Sequence, residues 1–357
     1  MRSAILPRVE TRIGIDARLI RAYGIGSYIR GLLRGLADLE GDEEFVVFAR
    51  PGDRDLVPTS FEIVEADVPP YTLFEPLRMG RIVRHARLDL LHVPHFLVPL
   101  TDCPIVTTLF DAIPFHYPLW NPLALPYIAA MMQTAARRSR RILTISHAAK
   151  RDLVGALDVD PETITVAHIG VNDTFFREGR VATEWAPYFL FVGRVARHKN
   201  IGVLLEALQL VRRKDRDVRL VLAGQHSVRD IDGVIVPGHV PEEDLLAIYR
   251  GAVAVIMPSF MEGFGLPPLE GMALGTPAIT STADALVEVT GDAALHFDAR
   301  SATELARAML TLRKDADLRA LLSERGRRRA RLFTWRPCAE ATRAVYREVL
   351  SLQSGVR

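Results

Sequence analysis

Two stretches of the 357-residue chain carry residue types and spacings that could do chemistry. The longer is Ser259-Phe260-Met261-Glu262-Gly263-Phe264-Gly265-Leu266-Pro267-Pro268-Leu269-Glu270, directly after an apolar run over 252–258. Gly263 and Gly265 permit close backbone approach or a positive φ, and Pro267 with Pro268 suits the first turn of a helix, where a missing N–H is no loss. Glu262 is therefore expected in a loop and Glu270 within a helix. Two carboxylates so separated can take hydroxyls at opposite ends of a long ligand, while N–H groups at the helix start suit a phosphate. A nucleotide sugar carries this pattern of groups. The plainer alternative is a capped strand-to-helix turn with solvated carboxylates.

The second stretch is Phe191-Val192-Gly193-Arg194-Val195-Ala196-Arg197-His198-Lys199-Asn200, again at a strand end before a helical pattern. Arg194 as a fork and Lys199 as a point charge could clamp a diphosphate. Cations ahead of a helix start oppose its dipole, which weakens the alternative of two ordinary surface charges.

The elements that must position these residues alternate between short β-rich runs and longer helical patterns. Strands are expected over 12–16, 45–49, 88–93, 105–110, 141–146 and 163–168, with the clearest helices over 123–138 and 148–157. Such alternation implies right-handed crossovers and a mostly parallel, doubly wound α/β sheet. A charged, irregular stretch over 172–187 reads as a linker, and the pattern restarts with strands over 188–193, 218–224, 234–236, 252–258 and 277–280. Helices over 201–213, 241–250 and 267–274 separate these strands, and the tail over 302–312, 317–331 and 337–350 is helical without strands of its own. The expected division is 1–175 and 176–336, with 337–357 returning to the first unit. Open α/β sheets bind ligands at the carboxyl ends of their strands, so two facing sheets place function in the cleft between them.

Composition narrows the partners. Hydrophobic residues at 49% exclude a disordered chain, and a formal charge of only +2 gives no reason to expect nucleic-acid binding. Cys103 and Cys338 stand far apart with no Cys/His cluster, which excludes a disulfide framework or structural zinc and fits a reducing cytoplasm. The first ten residues, broken by Pro7 and charged at Arg8 and Glu10, do not read as a secretory signal. The apolar run over 252–258 is far short of the ~20 residues that cross a bilayer. Asp53-x-Asp55 and Asp158-x-Asp160 could imitate a metal-binding acidic pair, but such pairs are expected in loops. Gly24-Ile25-Gly26 is a poor dinucleotide fingerprint, since position 29 is isoleucine and the loop does not directly follow the strand over 12–16.

The order of these segments resembles the retaining glycosyltransferases of family 4, which have the GT-B fold. Besides Gly193-Arg194 to Lys199 and Glu262 to Glu270, the resemblance rests on Gly24-Ile25-Gly26, Asp89-Leu90-Leu91-His92, Ser146-His147 before Lys150-Arg151-Asp152-Leu153, Gly170-Val171-Asn172, Val240-Pro241-Glu242-Glu243-Asp244-Leu245 and Gly291-Asp292-Ala293-Ala294. It implies an acceptor-side first domain, a nucleotide-side second domain and a final helix crossing back to the first. By it, Arg194 and Lys199 hold the donor diphosphate and Glu270 the ribose hydroxyls. Glu262 and the backbone of Phe264 and Gly265 hold the transferred sugar, Gly24 and Gly26 admit the diphosphate from the opposing domain, and Gly193, Gly263 and Leu266 belong to the donor-binding set. After the strand over 105–109 the family usually has His-Asp, whereas this chain has Phe110-Asp111. Asp111 and His116 are the polar groups left to stand in for that histidine, with an ordinary loop histidine the alternative for His116.

The expectation is a cytoplasmic transferase that moves a mannose-type or glucose-type hexose, from GDP-mannose or UDP-glucose, to a saccharide or lipid-linked acceptor, with no metal or cofactor. A sugar-nucleotide epimerase, a sugar phosphorylase and a two-domain sugar-binding protein are the alternatives. The basic clusters over 137–141 and 325–331 could touch anionic headgroups at the inner face of a membrane, though solvated helix faces are the favoured account of them.

Overall fold

The computed structural model describes residues 11–22, 24–72, 74–117, 124–224, 231–238 and 240–354. The first ten residues and Leu123, named above, lie outside them. Among the described residues the chain builds two parallel sheets. The first contains β1 (Thr11–Asp16), β2 (Glu43–Ala49), β3 (Glu62–Glu65), β4 (Leu90–Val93), β5 (Ile105–Thr108), β6 (Ser139–Thr144) and β7 (Ile164–Val166), in the order β3-β2-β1-β4-β5-β6-β7. The second contains β8 (Tyr188–Val192), β9 (Arg219–Ala223), β10 (Val234–Ile235), β11 (Ala254–Met257), β12 (Ala278–Ser281) and β13 (Ala294–Phe297), in the order β10-β9-β8-β11-β12-β13. Strands covered on both faces read as continuous apolar runs, and β8, Tyr-Phe-Leu-Phe-Val, is buried throughout.

The helices are α1 (Ile25–Ala37), α2 (Glu75–His85), α3 (Ile113–His116), α4 (Ala124–Arg138), α5 (His147–Leu157), α6 (Ile201–Arg212), α7 (Glu242–Gly251), α8 (Leu266–Leu274), α9 (Asp284–Thr290), α10 (Ala302–Lys314), α11 (Ala316–Ala330) and α12 (Trp335–Ser354). Six of these strands and helices go beyond the sequence reading: β3, β13, α1, α2, the single-turn α3 and the seven-residue α9. β3 and β13 are four-residue sheet edges carrying Glu62, Glu65 and His296, too short and polar to register as strands. In α2 three arginines on the outer face interrupt the apolar signal. In α1 Gly26, Gly31 and Gly35 lower helix propensity. It forms because Tyr28, Ile29, Leu32, Leu33 and Leu36 bury one face, and because a Cβ on Gly31 would sit 1.9 Å from the Trp335 indole. Small residues there let α12 lie close against α1.

α12 therefore belongs to the first sheet's layer although it follows the second. Arg343 and Arg347 both bond Glu43 at the start of β2, and the Tyr346 hydroxyl lies 2.6 Å from His92 Nδ1 on β4. His92 Nε2 continues to Thr108 Oγ1 at 2.8 Å, and that hydroxyl lies 3.0 Å from the Tyr28 hydroxyl. Burial pushes the His92 imidazole down to about 3, so it serves this buried chain as a neutral ring. No helix among the described residues is long and apolar enough to cross a membrane.

Candidate functional site

In the second sheet the order reverses between β8 and β11, and the loops after those two strands flank the crevice that such a reversal opens. They are the two stretches singled out by their chemistry. Asn200 ties them together from a left-handed backbone (φ 53°), its Nδ2 donating to Pro258 O at 3.1 Å and to Ala299 O at 2.6 Å. The Phe260 N–H also donates to His198 O at 2.8 Å. This bracing brings Lys199 Nζ within 2.7 and 2.9 Å of the two Glu262 oxygens. The Ser259 hydroxyl donates to Glu262 Oε1, so a carboxylate only 8% exposed has a cation and a hydroxyl as partners. Lys199 and Glu262, expected to act on different parts of one ligand, are thus in direct contact.

Glu262 lies in the loop and Glu270 in α8, as expected. Glu270 accepts the Tyr249 hydroxyl at 2.8 Å, and burial pushes its carboxyl up to about 7 against that hydrogen bond. The helix start differs in one respect from a general anion cradle. Pro267 and Pro268 carry no N–H, so its donors are confined to Leu266 and the residues before it. The Phe264 ring is buried against His168 and Phe333, leaving its backbone as the part available to a ligand.

The other wall comes from the first domain. Asp111, just past β5, accepts the Ile113 N–H at 2.9 Å. Burial pushes its carboxyl up to about 6; nearby Glu262 adds to the rise, while Lys199 and the Ile113 N–H oppose it. The domains meet at this point, since a Cβ on Gly263 would lie 2.8 Å from Phe110 O and 3.2 Å from Asp111 Cβ. Only glycine permits that approach. The Ser146 hydroxyl donates to Gly263 O at 2.7 Å while accepting the Ala149 N–H at 2.9 Å, so one side chain caps α5 and holds the opposing loop. The Phe110 ring turns away to meet Tyr28 edge-on at 5.0 Å.

Other expected residues lie further out. His116 stands exposed at the end of α3, where its charge acts on Asp152. Arg194 is exposed beyond Gly193, and its charge, like that of Lys199, bears on His198. Gly24 and Gly26, expected in a loop, are the cap and first turn of α1. Arg21 spans Asp53 and Asp55, and Asp160 caps a short turn, so both acidic pairs have structural partners. The basic clusters are also largely used: Arg327 and Arg329 donate to carbonyls closing α8 and α9, and Arg141, on β6 rather than a helix, pairs with Glu348.

Several residues of the site were not anticipated. Ser259 and Asn200 carry no chemical signal of their own, and the partners of Asn200, Pro258 and Ala299, lie 58 and 99 positions away. Ser146 had the N-cap signal, a serine between strand and helix, but its second bond crosses domains. Tyr117 reaches over the cleft to stack parallel to Phe260 at 6.5 Å and to meet His198 at 6.0 Å.

Comparison with known proteins agrees with this geometry. The family described as Glycosyltransferase Family 4 matches residues 22–175, and the family described as Glycosyl transferases group 1 matches residues 172–329. The chain is 28% identical over 300 residues to the O-antigen chain mannosyltransferase B of Escherichia coli, covering 78% of this chain and 79% of that protein. Among solved structures, sucrose-phosphate synthase from Thermosynechococcus elongatus superimposes with a TM-score of 0.76 at 20% identity, over 96% of this chain and 100% of the other. Anabaena HepE in complex with UDP-glucose gives 0.73 at 14% identity, over 94% and 100%. With the two facing parallel sheets of the GT-B fold and both matches laid end to end along it, the chain belongs to the group 1 glycosyltransferases of family 4.

Proposed function

We propose that the protein is a retaining hexosyltransferase that moves a mannose- or glucose-type sugar from a nucleoside-diphosphate donor to a hydroxyl of a saccharide or lipid-linked acceptor, in building a bacterial surface glycan or glycolipid. The observation that carries this reading is the Lys199–Glu262 pair on the loops of the β8/β11 crevice, with Asp111 facing it across the cleft. The O-antigen mannosyltransferase relative supports the sugar class and the kind of product. The reading includes the division at residues 175 and 176, with 337–357 returning to the first domain.

In this reading Glu270 holds the ribose hydroxyls, Arg194 and Lys199 the diphosphate, and Glu262 with the backbone of Gly263, Phe264, Gly265 and Leu266 the hexose. Gly193, Gly24 and Gly26 leave room for the diphosphate between domains. As the bond from the anomeric carbon to the diphosphate oxygen breaks, charge gathers on that oxygen beside Lys199 and Arg194, which stabilise it without a metal. The acceptor hydroxyl attacks from the same face, and its proton passes to the departing diphosphate, so configuration is retained. Asp111 orients the acceptor hydroxyl. His116, exposed at the end of α3, is given no catalytic part in this reading.

A thermal-shift screen across nucleotides and nucleotide sugars tests the donor assignment, since a ligand of the folded state raises apparent stability with its concentration. A shift with GDP-mannose or UDP-glucose, followed by acceptor-dependent transfer with unchanged anomeric configuration and undiminished by EDTA, is the expected result. No shift with any nucleotide removes the donor site, and loss of turnover on chelation removes the metal-free mechanism.

The reading also includes a peripheral contact with the inner face of a membrane. α2 supports it: Arg78, Arg81 and Arg84 are exposed on one helix, with Phe74 59% and Leu77 50% exposed at its start. Sedimentation with anionic but not zwitterionic vesicles is the check.

A further inference from the structure

Away from the Lys199–Glu262 pair, the domains meet again where His147 and His168 of the first face Glu288 of the second. Glu288 Oε1 accepts the His147 backbone N–H at 2.8 Å and His168 Nε2 at 2.8 Å, and Oε2 accepts the Ala148 N–H at 2.9 Å. An α9 carboxylate thus caps α5 of the other domain. The imidazoles of His147 and His168 meet edge-on with ring centroids 5.6 Å apart at 68°. Among the described residues these three form the one cluster of histidine, cysteine and acidic side chains whose ligand atoms all lie within 4.8 Å of one another. His147 is exposed, while His168 and Glu288 are partly buried and Phe264 and Phe333 flank the His168 ring.

From this geometry we infer a transition-metal site, for zinc or a metal of similar preference, formed by His147, His168 and Glu288 across the domain interface. Two histidines and one carboxylate are an established ligand set for zinc, leaving a fourth position to water on the exposed side. Two imidazoles on one metal, at metal–nitrogen distances of about 2 Å, have ring centroids roughly 5 to 5.5 Å apart. The observed separation fits within a small side-chain adjustment. The metal takes the place of the proton now shared between His168 Nε2 and Glu288 Oε1. The neutral imidazole keeps its single proton by moving it to Nδ1, and Oε2 remains on the Ala148 N–H. Because two ligands belong to one domain and one to the other, an ion there ties the domains together. The cleft of a two-domain transferase must open to release product, so the tie slows turnover.

The test uses the full-length, metal-stripped protein and zinc itself as the probe. Calorimetric titration should give one equivalent of zinc per chain, and cobalt in its place should develop the visible absorption of a four-coordinate ion. His147→Ala, at an exposed position, should lose at least tenfold in zinc affinity and the cobalt spectrum, and His168→Ala should do the same. Zinc should raise the melting temperature and slow transfer in the wild type but not in His147→Ala. Failure of the wild type to bind zinc overturns the site, as does equal affinity in wild type and both variants, which would place the metal elsewhere.

Discussion

Glu262 and Asp111 reach one cleft from opposite domains, and their surroundings differ in kind. Glu262 is enclosed by partners, with Lys199 on both oxygens and the Ser259 hydroxyl on one. Asp111 receives a single backbone N–H, and burial lifts its carboxyl to about 6. A carboxylate tied to a cation holds geometry and charge, whereas one lifted toward neutrality by desolvation can change protonation during a reaction. The Lys199–Glu262 pair is accordingly preassembled, whereas Asp111 opposite it, like Glu270 lifted to about 7 deeper in the second domain, is a group whose state depends on conditions.

The strongest way to break this contrast is Lys199→Ala, which removes the cation proposed to hold the diphosphate and strips Glu262 of its ion partner together. Transfer should fall by a hundredfold or more, about 3 kcal/mol of transition-state stabilisation, measured as kcat with the circular dichroism spectrum unchanged. Arg194→Ala, at an exposed position, should cost less. Equal turnover in wild type and Lys199→Ala would falsify the donor assignment.

Asp111→Asn probes the other wall. Transfer should drop about tenfold to a hundredfold while nucleotide affinity stays near wild type. The wild-type rate should rise with pH through about 6 as the carboxyl ionises, and the variant should lose that limb. Stability runs the opposite way. A carboxyl raised from 3.8 to about 6 gives its stability below the unfolded value and loses it as pH rises through the folded one. Asp111→Asn should therefore be more stable than wild type at pH 8, by about 3 kcal/mol, with the gain vanishing near pH 4. Melting curves at the two pH values decide it, and a constant difference would count against the desolvated carboxyl.

Gly263→Ala sharpens the comparison by separating the walls. Its Cβ would lie 2.8 Å from Phe110 O, so closure should suffer by roughly tenfold in turnover. Nucleotide binding to the second domain alone should persist, and joint loss of both activities would mean that the loop itself had collapsed. The smallest effect is expected from Phe110→His. The ring now packs on Tyr28, and a histidine there should alter the ranking of donor sugars by a few-fold without abolishing transfer. An unchanged ranking would make Phe110 a packing residue only.

The wall proposed to bind the donor was open to reading from sequence because its chemistry is local. Glycines, prolines and carboxylates within twelve positions dictate a strand, a loop and a helix start, and α8 begins at Leu266 as that punctuation requires. Its assembly was not legible. The contact of Lys199 with Glu262 joins residues 63 positions apart, and it depends on Asn200 and Ser259, which carry no chemical signature alone. Of the fold, buried strands such as β8 declared themselves by unbroken apolar runs, while the four-residue edges β3 and β13 did not. Helix α1 was hidden by its glycines, whose use is understood only once α12 lies beside it. His116 shows the converse, for a suggestive residue type near a strand end stands exposed at the end of a one-turn helix.

The return of α12 to the first domain sets the order in which the molecule can be completed during synthesis. Glu43, His92 and the Gly31 face of α1 are made early, yet Arg343, Arg347, Tyr346 and Trp335, which cover them, leave the ribosome only after the whole second sheet. Domains commonly fold as they emerge, the N-terminal one first. Here the first-made domain must wait, with an apolar helix face uncovered, until the last-made helix arrives. The second domain can close its own sheet in the meantime, so the later half of the message is finished before the earlier one.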